Sequence, residues 1–249
     1  MEERLELERS IVRWGGLAGI AGSILFIFVF AFVGAVIGAD PVGPAAAIER
    51  FPEIQAGRTI ENGLYLVVLV LWAAHAVALY RGLRETGAAA LVGTVLAVAG
   101  LTVLAAGALP HAASVQLADL YHAPDATAQD RAALVAAWHA VQGVMNALLV
   151  TGLVVLPLAI IGLGMAMRGA VGFGRRIGAL GVALGSAGFG AAVVLLVDPL
   201  SPIAVIGFLA LIAFHAATGW TLQRIGTRND AAAPAGGRVA EEVSARAAP

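Results

Sequence analysis

The chain has 249 residues and a formal net charge of −1, with 60 % hydrophobic and 12 % charged residues. Soluble domains are about a quarter charged, so this composition is typical of a protein whose solvent is mostly lipid. The small net charge, without a basic cluster, argues against a nucleic-acid partner. The chain contains no cysteine, which excludes disulfides, iron–sulfur clusters and thiol catalysis.

Six apolar segments predict an all-α, polytopic membrane protein built as a six-transmembrane-helix bundle. Each segment is long enough to cross a hydrocarbon core of about 30 Å. The first is too long for the core of a signal peptide, so we interpret it as an uncleaved span. The predicted spans cover residues 14–38, 62–80, 88–109, 134–167, 177–197 and 202–222, within a membrane domain of residues 14–226.

The segments outside the spans are short. Residues 1–13 are charged and predict a cytoplasmic N-terminal segment, whereas residues 227–249 are low in large apolar groups and predict a disordered cytoplasmic tail. The fourth span is too long for one crossing. Thr127 and Asp130 ahead of it have the spacing of a capping box, so its helix is predicted to begin there, outside the membrane. The outer loops leave no room for a folded unit.

The arginines are distributed unequally between the two ends of the predicted bundle. Of the 15 basic residues, all of them Arg, only Arg50, Arg58 and Arg131 lie at the end opposite the chain termini. Positively charged loops stay in the cytoplasm. The lack of lysine and the abundance of Ala and Gly are the amino-acid composition expected from the codon bias of a GC-rich bacterium. The sequence therefore predicts a bacterial inner-membrane protein with cytoplasmic N- and C-termini.

One face of the second span carries polar and aromatic side chains. They recur at offsets of three and four residues, which places them on one side of a helix. Lipid offers such groups no hydrogen-bond partner, so this face is predicted to point into the bundle. The stripe consists of Glu61, Tyr65, Val68, Trp72, His75 and Leu79.

Two imidazoles lie inside the predicted spans, His75 in span two and His215 in span six. Each precedes an interfacial aromatic residue by five positions, so similar depths are expected. Ionisable groups in a membrane are functional candidates by default. A proton relay, bis-histidine haem ligation, a wall of a substrate pocket and a structural hydrogen bond to a neighbouring helix all fit the pattern. Haem ligation would need residues that hydrogen-bond to the two imidazoles and orient them. The sequence shows no pattern of such residues, so no cofactor is predicted.

A second polar face is predicted at the outer end of span four, where His139, Gln142 and Asn146 share one side of the helix. Together with Glu61, Asn62 and Tyr65 at the outer end of span two, these residues could line a shallow polar vestibule that contacts a substrate or a proton. Interhelical hydrogen bonds that fix helix packing are the alternative explanation.

The outer loop before span four contains the candidate metal ligands His111, Asp119 and His122. Zinc accepts imidazole and carboxylate, and Asp-x-x-His can place two ligands on one side of a helix. However, the spacing matches no recognised signature, and a catalytic zinc site needs three protein ligands. We therefore interpret this segment as an ordinary polar loop and predict no metal site.

Span five has a face of small residues, formed by Gly178, Gly181, Gly185 and Gly188. Small residues let helix backbones approach closely. This face is predicted to pack against another helix, within the chain or in a dimer. The expected partner is the glycine face of span one, formed by Gly15, Gly19 and Gly22.

With six spans, a charged N-terminal segment and short outer loops, residues 8–226 resemble uncharacterised six-span bacterial membrane proteins grouped only as domains of unknown function. The resemblance implies no activity and no functional residue. The sequence favours a non-enzymatic protein with a structural, accessory or sensing role, whose partner is the lipid bilayer. The alternatives are a small-molecule or proton-coupled carrier that uses His75 and His215, and a haem- or metal-dependent membrane redox enzyme.

Overall fold

The computed structural model describes residues 2–39, 41–198 and 201–231, and the regular structure in these ranges is helical throughout. The all-α prediction is confirmed, and six helical segments are long and apolar enough to cross a membrane. The helices are α1 (Glu2–Phe32), continued by a π-helical turn (Val33–Ile37), α2 (Pro44–Leu83), α3 (Ala88–Ala106), α4 (Leu109–Tyr121), α5 (Ala128–Gly169), α6 (Gly174–Val197) and α7 (Ala204–Ala231).

The long helices form a closed ring. In order around it, the neighbours are α1, α2, α3, α5, α6 and α7, and α7 returns to α1. Helices α2, α5 and α7 also touch one another across the middle. The outward faces are apolar as well, as Val67, Val70 and Val77 of α2 show by their exposure. An apolar outer surface of this extent is what a bundle surrounded by lipid requires.

Helix α2 is about twice as long as the span predicted for it, and α5 extends beyond its span to the start that the capping box predicts. They contain 40 and 42 residues, or about 60 Å each, roughly twice the thickness of the hydrocarbon core. Their first turns and α4 enclose a second small apolar core of Ile48, Phe51, Ala118 and Trp138. The sequence predicted simple loops in this region, and the structure has helices packed around an apolar core instead. The core is formed by three short apolar stripes that bury one another. Each stripe alone has too few apolar residues to be recognised in the sequence among its charged neighbours.

Helix α5 begins where its capping box predicts. The Asp130 backbone N–H donates to the Thr127 hydroxyl at 3.2 Å, and the Thr127 N–H donates to the Asp130 carboxylate at 3.0 Å. These two bonds satisfy backbone donors that have no partner within the helix.

The terminal segments are helical where they are described. Residues 2–13 form the first turns of α1, and α7 continues to Ala231. The predicted disordered tail therefore begins with helical residues at 227–231, and its remainder, residues 232–249, lies outside the described residues.

Candidate functional site

Helices α1, α2 and α7 enclose a group of polar and aromatic side chains that we call the imidazole cluster, formed by Trp72, His75, His215 and Thr218. None of the four is more than 3 % exposed. The rest of the predicted stripe on α2 follows the same direction, with Val68 and Leu79 buried and Glu61 and Tyr65 half-buried.

The glycine face of α1 makes room for this cluster. A Cβ atom at Gly19 would lie 2.6 Å from Nδ1 of His75 and 2.9 Å from the carbonyl oxygen of His215. A Cβ atom at Gly22 would lie 2.8 Å from the indole of Trp72. Any side chain at these two positions would push the rings away, so glycine lets α1 approach both α2 and α7.

Both ring nitrogens of His75 have partners in the chain. Nδ1 lies 2.8 Å from the Gly15 carbonyl oxygen on α1, and Nε2 lies 2.9 Å from the Thr218 hydroxyl on α7. A carbonyl oxygen only accepts, so Nδ1 carries the hydrogen and donates it. Nε2 of the neutral ring then accepts the hydrogen of the Thr218 hydroxyl. One imidazole on α2 thus ties together three helices.

The Thr218 hydroxyl has two acceptors for its single hydrogen. Its oxygen also lies 2.6 Å from the Phe214 carbonyl oxygen one turn earlier. If His75 gained a proton at Nε2, that N–H would donate to the hydroxyl oxygen, and the hydroxyl would turn to donate to Phe214. Both protonation states of His75 therefore have complete hydrogen bonding on the ring.

His215 is held differently. Its ring stacks on Trp72 with centroids 4.4 Å apart and 8° between the planes, and it meets the His75 ring edge to face at 5.1 Å. Nδ1 of His215 and Nε1 of Trp72 are buried without a hydrogen-bond partner in the described part of the chain. An unpaired buried donor or acceptor costs about 1–3 kcal/mol. The two imidazoles are thus adjacent but unequal, one fully bonded and one held by ring contacts.

The cluster continues toward the other end of the bundle as a group of aromatic rings. Phe26 of α1 lies 5.2 Å from Trp72, 5.5 Å from Phe208 and 5.8 Å from Tyr65, measured between ring centroids. Neither Phe26 nor the role of Thr218 as the partner of His75 was predicted from the sequence. The glycines of α1 were the available signal, since a glycine face marks where bulky groups of another helix approach.

The structure describes the side chains that were predicted to line a vestibule. His139 is exposed, and Gln142 and Asn146 are half-buried on α5. Across the described residues, no hydrogen bond joins these three side chains to the stripe on α2. Glu61 instead forms an ion pair with Arg58 at 2.8 Å.

The three candidate metal ligands also have separate surroundings. His111 lies 3.4 Å from the Thr59 hydroxyl, His122 donates from Nδ1 to the Ala118 carbonyl oxygen at 2.9 Å, and Asp119 is exposed. No group of three or more His, Asp or Glu side chains able to hold a metal ion occurs within residues 2–39, 41–198 and 201–231.

The small-residue face of α6 packs against α5. A Cβ atom at Gly181 would lie 3.1 Å from the Gly164 Cα, and one at Gly178 would lie 2.7 Å from the Gly164 carbonyl oxygen. Gly185 and Gly188 meet the turn of α5 that contains Pro157. The partner is therefore α5, and not α1, whose glycine face is occupied by α2 and α7.

The geometry limits the chemistry that the cluster can perform. The imidazole rings touch directly, so this arrangement has no space for a porphyrin between them as bis-histidine haem ligation requires.

Comparison with protein-family models, curated proteins and solved structures gives no match. The function is therefore inferred from the geometry of the cluster itself.

Proposed function

We propose that this chain is a non-enzymatic, multi-pass protein of the bacterial cytoplasmic membrane, with a structural, accessory or sensing role. The observation that supports this proposal is the bonding of His75, which reaches α1 through one ring nitrogen and α7 through the other. Both partners belong to the chain, so neither nitrogen is open to a substrate. Ser23 adds a second link, since its hydroxyl lies 2.9 Å from the Gly19 and 3.1 Å from the Ile212 carbonyl oxygen.

The arginine distribution supports cytoplasmic termini. Most arginines lie at the end of the bundle where α1 begins and α7 ends. At the opposite end, Arg50 donates to the carbonyl oxygens of Ala39 and Ile37, and Arg58 pairs with Glu61. Two of the three arginines at that end thus serve local contacts. The remaining positive charge is concentrated at one end, as expected for a cytoplasmic face.

The natural absence of cysteine allows a direct test of this topology. Glu85→Cys and Asp125→Cys each place one thiol at an exposed position, at opposite ends of the bundle. We expect a membrane-impermeant maleimide to label Asp125→Cys in intact cells, and Glu85→Cys only after permeabilisation. The unsubstituted chain is the control. Labelling of both thiols from the same side would contradict the six-span arrangement, and the reverse pattern would contradict cytoplasmic termini.

A proton-responsive role, in a sensor or a proton-coupled carrier, is the second candidate. It is favoured by the unpartnered Nδ1 of His215 and by the Thr218 hydroxyl, which can serve His75 in either protonation state. A proton entering the cluster would meet two rings in contact, of which only one can be charged without strong repulsion.

Nitrogen-15 NMR of histidine-labelled protein separates the two candidates. We expect His75 to be the neutral tautomer with hydrogen on Nδ1, because Nδ1 faces a carbonyl oxygen. His75→Gln and His215→Gln assign the signals. A structural cluster keeps this spectrum between about pH 5 and pH 9, the range in which accessible imidazoles titrate. Reversible titration of the cluster would favour the proton-responsive role, and hydrogen on Nε2 alone would contradict the bond to Gly15.

A further inference from the structure

A polar cavity lies between α1 and α7 at the end of the bundle where α1 begins and α7 ends. Its volume is about 350 Å³, and its lining residues are Glu6, Arg9, Ser10, Arg13, Trp14 and Gly226. The two helices are tied together beside it, where the Gln223 side chain donates to the Arg13 carbonyl oxygen. Gly226 lies next to Arg13, since a Cβ atom at Gly226 would be in van der Waals contact with the Cβ of Arg13, at 3.6 Å.

The charged groups of this cavity have no partners among the described residues. The ion pairs in the described part of the chain join Arg58 to Glu61 and Arg84 to Glu8. Neither pair involves Arg9 or Arg13, the two arginines of the cavity. Arg9 and Arg13 are four residues apart and therefore share one face of α1. Two guanidinium groups on one face suit a phosphate, which accepts paired hydrogen bonds from the planar fork of arginine.

Exposed tryptophans place the cavity near the surface of the bilayer. Trp14 is 68 % and Trp220 56 % exposed, on the two helices that form the cavity. The guanidinium group of Arg224 lies over the Trp220 ring, 5.3 Å from its centroid. Tryptophan is enriched at the boundary between hydrocarbon and headgroups. Residues one to two turns beyond Trp14 toward the N-terminus of α1 therefore lie at the depth of lipid headgroups.

The order of the side chains along α1 matches that of one class of headgroup. From the hydrocarbon outward come Trp14, Arg13, Arg9 and Glu6, at 1.5 Å per residue. A phospholipid presents its glycerol esters first, then its phosphate, and then, in zwitterionic lipids, a cationic amine. The sequence of an apolar ring, two cations and one carboxylate is complementary to that series.

We propose that this cavity binds the headgroup of an ethanolamine phospholipid. The phosphate lies against Arg9 and Arg13, the primary ammonium group donates to the Glu6 carboxylate, and Trp14 packs against the glycerol region. A choline headgroup has no N–H to donate to Glu6, and a glycerol headgroup brings no positive charge to it. The proposal depends on the membrane location proposed above, but not on the role of the imidazole cluster.

Native mass spectrometry of the purified chain with phosphatidylethanolamine, phosphatidylglycerol and phosphatidylcholine tests the site. We expect the ethanolamine lipid to bind about fivefold to tenfold more tightly than the other two, as one extra charge-assisted hydrogen bond provides. Arg9→Gln combined with Arg13→Gln should remove the binding of all three. Glu6→Gln should reduce only the ethanolamine lipid to the level of the others.

Arg175→Gln is the matched control, because Arg175 is an exposed arginine in the first turn of α6, at the same end of the bundle but outside the cavity. Equal binding of the three lipids, or a preference for phosphatidylglycerol that Glu6→Gln leaves unchanged, would overturn the proposal. Displacement of the lipid by inorganic phosphate alone would show a phosphate site and would overturn it too. Because the maleimide experiment reports membrane insertion separately, failure here is distinguishable from failure of the proposed membrane location.

Discussion

Gly185→Leu is expected to destabilise the bundle by about 3 kcal/mol, the upper part of the usual range for overpacking. A Cβ atom at Gly185 would lie 2.8 Å from the carbonyl oxygen of Pro157 and 2.7 Å from Cγ1 of Ile161. The first contact is with backbone, which cannot move aside without separating α5 from α6. The remaining atoms of leucine would increase the separation.

Gly190→Leu is the matched control on the same helix, since no atom lies within 4 Å of a Cβ atom there. It removes a helical glycine and so should be close to neutral, within about 1 kcal/mol. Thermal unfolding in detergent, followed by size-exclusion chromatography, measures both variants. Equal tolerance of the two leucines would contradict the close contact between α5 and α6.

His75→Leu is expected to cost about 2–4 kcal/mol. The substitution keeps an apolar body in the space beside Gly19 but leaves the Thr218 hydroxyl without its ring partner and removes the bond to the Gly15 carbonyl. The Thr218 hydroxyl keeps the Phe214 carbonyl oxygen as an acceptor, so the cost is that of two lost hydrogen bonds, about 1 kcal/mol each, together with the imperfect fit of leucine in the space of the ring. His75→Gln should cost less, because an amide can still donate to one of the two helices and accept from the other.

His139→Leu provides the control for the second prediction, because it makes the same chemical change at an exposed histidine of α5. We expect it to alter stability by less than about 0.5 kcal/mol. Reversible unfolding in mixed micelles measures the free energies. An equal effect of leucine at both positions, or a glutamine at position 75 as damaging as leucine, would contradict the hydrogen-bonding role of His75.

The directions in which helix faces point could be predicted from the sequence, because lipid makes the cost of a misplaced polar group large. The spacing of Tyr65, Trp72 and His75 follows one helical side, and that side lies within the bundle. In the same way, the capping box located the start of α5, since Thr127 and Asp130 act within one turn. Properties that depend on a single helix and its surroundings were thus accessible from the sequence alone.

The sequence alone did not show which helices pack against each other. The glycine faces of α1 and α6 are chemically alike, and spacing along a helix does not show which neighbour approaches it. His75 illustrates the same limit, since its bonds to Gly15 and Thr218 span 60 and 143 residues. The second apolar core was not predicted because Phe51, Ala118 and Trp138 lie on three different helices. Each helix contributes too few apolar residues to indicate a core by itself.

The sequence separation of the two His75 bonds also determines the order in which they can form during synthesis. The Gly15 partner precedes His75 in the chain, so the first helical hairpin can close as soon as α2 has entered the membrane. Thr218 lies on α7, the last of the described helices to be synthesised. Until then, the α1–α2 hairpin holds an imidazole with one free acceptor nitrogen, and arrival of α7 both covers it and closes the ring of helices. The ring of helices can therefore close only after α7 has been synthesised.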